Sequence, residues 1–258
     1  MKRLLAALVV ALAASVFSST ASANHSWNGY HWARTSNPFT VQLGNNLSSV
    51  WQSYLGTTSS DWSASSVLDT LVVAGQSKGR CRPTAGRDEI CNNTYGNNGW
   101  LGVATIWLEN GSLHIVQGTV KVNDTYFNSP TYNTPGWRNL VMCQEVGHTF
   151  GLDHQDENFD NTNLGTCMDY TSNPYGPPDN EHPNQHDYDE LVTIYSHTDD
   201  HTTVGAALPQ ANQAASENAA PIAVERSDRI SDSTITETFA DGSRRVTHIT
   251  WAIPGTVH

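Results

Sequence analysis

Residues 143–154 read Cys-Gln-Glu-Val-Gly-His-Thr-Phe-Gly-Leu-Asp-His, and their spacing decides how the rest of the chain is read. On a helix, Gln144 and His148 are four residues apart and lie one above the other on a single face. Glu145 sits beside that face. Gly151 can take backbone angles that other residues avoid, so the chain can leave the helix and return His154 to the same point. Two imidazoles, one amide oxygen and one carboxylate therefore converge. Gln144, His148 and His154 are the candidate metal ligands, with Glu145 placed to act as general base on a metal-activated water. The H-E-x-x-H helix carries histidine where this chain has Gln144. An amide oxygen is a poorer zinc ligand than imidazole, so the question is what Gln144 does.

The flanking sequence predicts how this helix is held. Thr134-Pro135 predicts its start, with threonine as cap and proline at the first helical position, and Gly151 predicts its end. Upstream, Pro38–Leu43 alternates like a strand, and Leu47–Leu55 has helical spacing with Val50, Trp51 and Leu55 on one stripe. Val67–Val73 is a further apolar strand. Leu101–Leu108 and Ser112–Val122 are β-rich runs separated by Glu109-Asn110-Gly111, a hairpin signal. Downstream, residues 153–183 are rich in Asn, Asp, Gly and Pro and predict a long loop. A last helix is expected over about 186–196. Residues 201–230 predict a linker, Ala/Gln/Asn/Pro-rich over 203–225. Residues 231–258 form a C-terminal appendage in which 233–252 resembles a β-hairpin, too small to be stable alone and expected to dock on the main domain or on a partner.

Residues 1–23 have the pattern of a targeting segment: Lys2 and Arg3, the apolar run Leu4–Phe17, then Ala21-Ser22-Ala23 as a small-residue cleavage site. The run is too short to span a membrane. Export, and a secreted, monomeric domain over 24–200, are the expectations. The whole chain has 13 Lys+Arg against 25 Asp+Glu, a net charge of −12. Without Lys2 and Arg3 the balance is −14, which argues against nucleic acid and anionic membranes as partners. Four cysteines in an oxidising compartment favour two bridges, with three connectivities open. Cys81–Cys91 brackets a local loop, and Cys143–Cys167 would tie the 143–154 helix to the segment beneath it. That pairing is preferred to Cys143 acting as a ligand, because Cys143 stands about 100° around the helix from Gln144.

With strands first, then the 143–154 helix, a long loop and a last helix, residues 30–200 resemble the metzincin clan of zinc endopeptidases, nearest its matrixin-like secreted members. The resemblance rests on Glu145, His148, Gly151 and His154 in register, and on Thr166-Cys167-Met168-Asp169-Tyr170, which looks like the Met-turn of that clan. It implies an α+β fold with a twisted mixed sheet, one catalytic zinc ion, and hydrolysis of a peptide or protein substrate with Glu145 as base. By the same resemblance Tyr170 ligates the metal or stabilises the oxyanion. With the domain expected to start almost at the cleavage site, the matrixin pro-segment with its zinc-capping cysteine is not expected. The run His114–Val120 becomes a candidate rim strand that holds an extended peptide by strand addition. The reading from another class is a secreted binding or inhibitory protein that keeps the protease shape without turnover.

Three further features are read more simply. Asp156, Asn158 and Asp160 alternate as in calcium loops but lack the EF-hand glycine and closing glutamate, so a calcium-stabilised loop is secondary to a solvated acidic turn. The histidines other than His148 and His154 show no ligand spacing and are expected at the surface or in the core. The eight tryptophans are expected to pack the core.

Overall fold

In a computed structural model of the chain, residues 25–77, 80–159, 161–205, 219–228 and 232–253 are described. The proposed targeting segment, Asp160 and His258 lie outside them. The elements are β1 (His31–Trp32), β2 (Phe39–Asn46), α1 (Ser49–Trp62), β3 (Leu68–Ala74), β4 (Asp88–Asn93), β5 (Trp100–Leu108), β6 (His114–Asn123), α2 (Asp124–Phe127), α3 (Pro135–Thr149), α4 (Gln185–Ile194), β7 (Ala223–Asp228), β8 (Asp232–Thr238) and β9 (Arg244–Trp251). No helix among the described residues is long and apolar enough to cross a membrane.

The strands form one large mixed sheet in the order β3-β2-β4-β6-β5-β9-β8-β7, with β1 also paired to the start of β6. β2, β3, β4 and β6 run parallel, and from β5 onward the pairing is antiparallel. α1 and α3 pack against each other and on one face of the sheet. Trp51, Leu55 and Trp62 turn the buried stripe of α1 inward, and the Trp62 indole donates to Cys143 O at 3.2 Å, so α1 is fastened to the helix that carries the site. Trp32, Trp51 and Trp62 are fully buried, and the core is the layer between sheet and helices. Both preferred disulfides, Cys81–Cys91 and Cys143–Cys167, are present.

Two expectations need correction. β6 is paired on both sides, to β5 on one and to β4 and β1 on the other, so His114–Val120 has no free edge on which to hold a peptide. Residues 223–228, inside the expected linker, form β7 instead and extend the hairpin to three strands. Their side chains are exposed along the whole strand, and backbone pairing to β8 rather than an apolar face makes the strand. That pairing leaves no hydrophobic pattern to read. β4 begins in the loop bracketed by Cys81 and Cys91, a region that gave no strand signal, and runs on to Asn93; its acidic residues Asp88 and Glu89 are buried.

Asp88 sits beneath the C-terminal turn of α3, where Thr149 Oγ1 donates to Asp88 Oδ2 at 2.8 Å. A methyl at Gly118 would stand 1.9 Å from Asp88 Oδ1, so glycine is the residue that admits this carboxyl group. Burial, opposed by the Thr149 bond and reinforced by the neighbouring Glu89, pushes the Asp88 pKa up to about 8. The native state thus keeps a proton that the unfolded chain releases near the ordinary aspartate value of 3.8. Stability falls as pH rises between those two values, by at most about 1.4 kcal/mol per pH unit. Asp88→Asn should flatten that slope, so urea unfolding at pH 5 and pH 7.5 should show a variant whose advantage over wild type grows with pH.

Candidate metal centre

α3 begins as its sequence predicts. Thr134 accepts from Trp137 N at 3.4 Å and Pro135 occupies the first turn. The helix stops at Phe150, and Gly151 follows with φ +91°. Glycine is required at 151 for two reasons: L side chains avoid that φ, and a Cβ would stand 1.9 Å from Tyr30 O. The residues after it are clamped by the N-terminal segment, with Trp27 N donating to Gly151 O at 2.7 Å and Asp153 N to His25 O at 2.6 Å. This turn brings His154 back against His148, with ring centroids 4.8 Å apart and planes nearly perpendicular.

The third imidazole comes from the other end of the chain. β9 pairs antiparallel with β5, placing His248 opposite Ala104 and Thr250 opposite Gly102. Side chains alternate along a strand, so Val246, His248 and Thr250 share one face of β9 and Thr247 takes the other. His248 lies 3.9 Å from the His148 ring and 5.0 Å from the His154 ring, centroid to centroid. All three are buried, and one ligand atom from each falls within 4.8 Å of the others. His148 Nδ1 lies 2.9 Å from Leu152 O. With Nδ1–H donating to that carbonyl, the lone pair is on Nε2, the arrangement typical of metal-bound histidine. Three neutral imidazoles are a donor set that suits zinc. A tetrahedral site with Zn–N of about 2.0–2.1 Å wants ligand nitrogens roughly 3.3 Å apart, so the residues fit a transition metal with a modest closing of the cluster.

The other residues singled out in the sequence surround this cluster. Gln144 is buried, its amide nitrogen donating to Cys167 O at 3.0 Å and its amide oxygen accepting from Thr250 Oγ1 at 3.2 Å. It thus joins the segment below α3 to β9. Glu145 is fully buried against β5, where a Cβ at residue 102 would meet Glu145 Oε1 at 2.3 Å, so Gly102 provides the space for the carboxylate. Tyr170 packs on His154 with ring centroids 4.2 Å apart, and Phe159 stacks on Tyr170 from outside. Met168 lies beneath the helix, and a Cβ at Gly147 would stand 2.7 Å from its sulfur. The 166–170 segment is fixed by Thr166, whose hydroxyl accepts from Met168 N and donates to Asp187 Oδ2 of α4, and by Gln155 N donating to Met168 O. The neighbouring Asp169 carboxyl is raised by burial, an effect opposed by hydrogen bonds from Leu164 N and Asn180.

Next to the cluster is a small apolar pocket lined by Leu101, Trp137, Leu140, Val141, Tyr170 and Ile253, among others. Trp251 and Ile253 close it from the hairpin side, where Ile253 N donates to Tyr132 Oη at 2.8 Å.

His248 was missed in the sequence because its partners are brought to it by β5–β9 pairing and not by local spacing. The one available sign was its inward parity within a predicted strand. The calcium-loop residues serve the turn itself: Asp156 Oδ1 accepts from Asn158 N at 2.8 Å, and its other oxygen accepts from Asn161.

Gly151→Ala should cost at least about 1–3 kcal/mol from the left-handed backbone alone, more with the Tyr30 clash, and should displace His154. Urea unfolding and zinc titration of the variant check both effects. In comparison with known proteins, no family matches the chain and no curated protein matches it.

Proposed function

We propose that the chain is a zinc-dependent endopeptidase of metzincin type, held in a closed form by its own C-terminal hairpin. The observation that carries the reading is the convergence of His148, His154 and His248, with the buried Glu145 on the same helix as His148. The sheet with α3 across one face, the glycine turn at 151 and the Met168 segment under the helix support the same reading. A bound zinc ion supplies Lewis acidity to the site. Glu145 accepts a proton from the attacking water and delivers it to the leaving amine nitrogen. The Tyr170 hydroxyl, beside His154, donates to the oxygen that gains charge as the carbonyl is attacked.

Access is the constraint. Glu145, His148, His154, His248 and Tyr170 are all buried, and β9 takes the edge of β5 that runs past the cluster. An extended peptide pairs with a free strand edge, so a substrate reaches Glu145 when β9 leaves. Departure removes His248 and also Thr250, which holds the Gln144 amide oxygen. Gln144 is then free to take the third ligand position. In this reading His248 serves the closed form and Gln144 the open one, which accounts for glutamine at 144. The same burial favours a second reading, a protease-shaped binding protein without turnover; it predicts peptides that bind and are never cut.

Glu145→Gln should retain zinc while lowering peptide hydrolysis by about 10²–10⁴-fold. His248→Ala should weaken zinc binding, and adding Gln144→His should restore it; metal analysis after dialysis reads both. Hydrolysis absent from wild type and present only with Gln144→His would establish the binding-protein reading instead. Thr247→Pro removes a backbone donor from β9 and should loosen the hairpin. With zinc saturating, its peptide cleavage should exceed that of wild type, and a fall would contradict closure by the hairpin.

A further inference from the structure

A second group of histidines lies away from the first centre, where β1, the start of β6 and the segment after α4 meet. Asp199 anchors it. Asp199 Oδ2 is held by Arg34, through Nη1 at 2.8 Å and the backbone N at 3.1 Å. That leaves Oδ1 facing three imidazoles: His114 Nε2 at 3.4 Å, His197 Nε2 at 3.6 Å and His31 Nε2 at 3.8 Å. His31 Nε2 and His197 Nε2 are themselves 3.2 Å apart. His31 Nε2, His197 Nε2 and Asp199 Oδ1 fall within reach of one ion, with separations near the roughly 3.3 Å edge expected for zinc ligands about 2.0–2.1 Å from the metal, and His114 Nε2 approaches the same carboxylate oxygen.

The outer bonds select the same atoms. His31 Nδ1 lies 2.7 Å from Gly29 O, which accepts the Nδ1 proton and leaves the lone pair on Nε2. His114 Nδ1 lies 3.1 Å from Glu109 Oε2, so a carboxylate accepts its proton and again Nε2 carries the lone pair. A carbonyl or carboxylate on the far nitrogen is the support that metal-bound histidines use. Glu109 is in turn 3.3 Å from His201 Nε2. Register places two of the imidazoles together: His31 of β1 is the partner of His114 of β6. His197 and Asp199 come from the turn after α4, where Asp199 N donates to Arg34 O.

We infer that His31, His114, His197 and Asp199 form a second, structural site for zinc or a similar divalent transition metal, fastening the N-terminal segment and the segment after α4 to the sheet. With four protein ligands the site leaves no open position, as structural zinc sites do. His197 is half-exposed, so the ion enters from solvent. The site is independent of the proposed peptidase centre and of whether that centre turns over.

The test begins with full-length His148→Ala/His154→Ala protein, in which the first centre is disabled. Titrated with zinc, it should bind one equivalent and rise in melting temperature; titrated with cobalt(II), it should give the absorption of a tetrahedral site. Adding His197→Ala should abolish that equivalent. Glu109→Gln should weaken it by about 10–100-fold while leaving it measurable. In the otherwise wild-type chain, which keeps the first centre and covers the case where the double variant fails to fold, His197→Ala should lower bound zinc by one equivalent. No zinc bound by the folded double variant, or a stoichiometry that His197→Ala leaves unchanged in the otherwise wild-type chain, overturns the second site. Loss of zinc from the first centre alone bears only on the peptidase reading.

Discussion

The pairing of β9 with β5 is the interaction on which the candidate metal centre depends. It sets His248 opposite Ala104, turns that side chain toward α3, and completes a triad whose other two members lie on α3 and its turn. A shift of one residue in this register would send His248 to the outer face and bring Thr247 inward. The register is held from both sides of the strand. Thr250 bonds Gln144 on the helix face, and Thr247 meets Thr105 at 3.2 Å on the outer face. At the ends, Ala252 N donates to Gly99 O and Arg244 to Ser112 O.

This pairing also explains how so many polar groups are tolerated in the interior. Gln144, Glu145, His148, His154 and His248 are all buried within one layer, which is costly unless each group is bonded or ligated. Gln144 spans from Cys167 to Thr250, and His148 is oriented by Leu152 O. Small residues provide the space for the rest: Gly102 for Glu145, Gly147 for Met168 and Gly118 for Asp88. The second histidine group follows the same logic. There Arg34, Glu109 and Gly29 O orient the ring nitrogens and the Asp199 carboxylate.

Much of this was legible along the chain. The cap at Thr134-Pro135, the Asn-Gly turn before β6 and the alternating 233–252 hairpin all depend on neighbours within a few residues, and each appears in the structure; of the stripe expected on α1, Trp51 and Leu55 are buried and Val50 is exposed. The spacing of His148 and His154 was visible because one helix and one glycine turn bring them together. β4 and β7 were not legible, because β4 buries acidic residues and β7 is exposed along its whole length. Neither gives the alternation on which strand reading relies.

The amino-acid order by itself determined the local elements, both cysteine pairs as the preferred pairing, and two of the three imidazoles at the centre. Only the tertiary structure decided that His248 stands third, that Gln144 bonds the hairpin, and that His31, His114, His197 and Asp199 meet. The physical reason is range. Helix caps, turns and i, i+4 faces are set by atoms close along the chain, whereas Thr105 and Thr247, 142 residues apart, become neighbours only when one strand edge finds another. Burial of apolar surface drives that meeting, and the spacing of residues along the chain does not show which strand edges will pair.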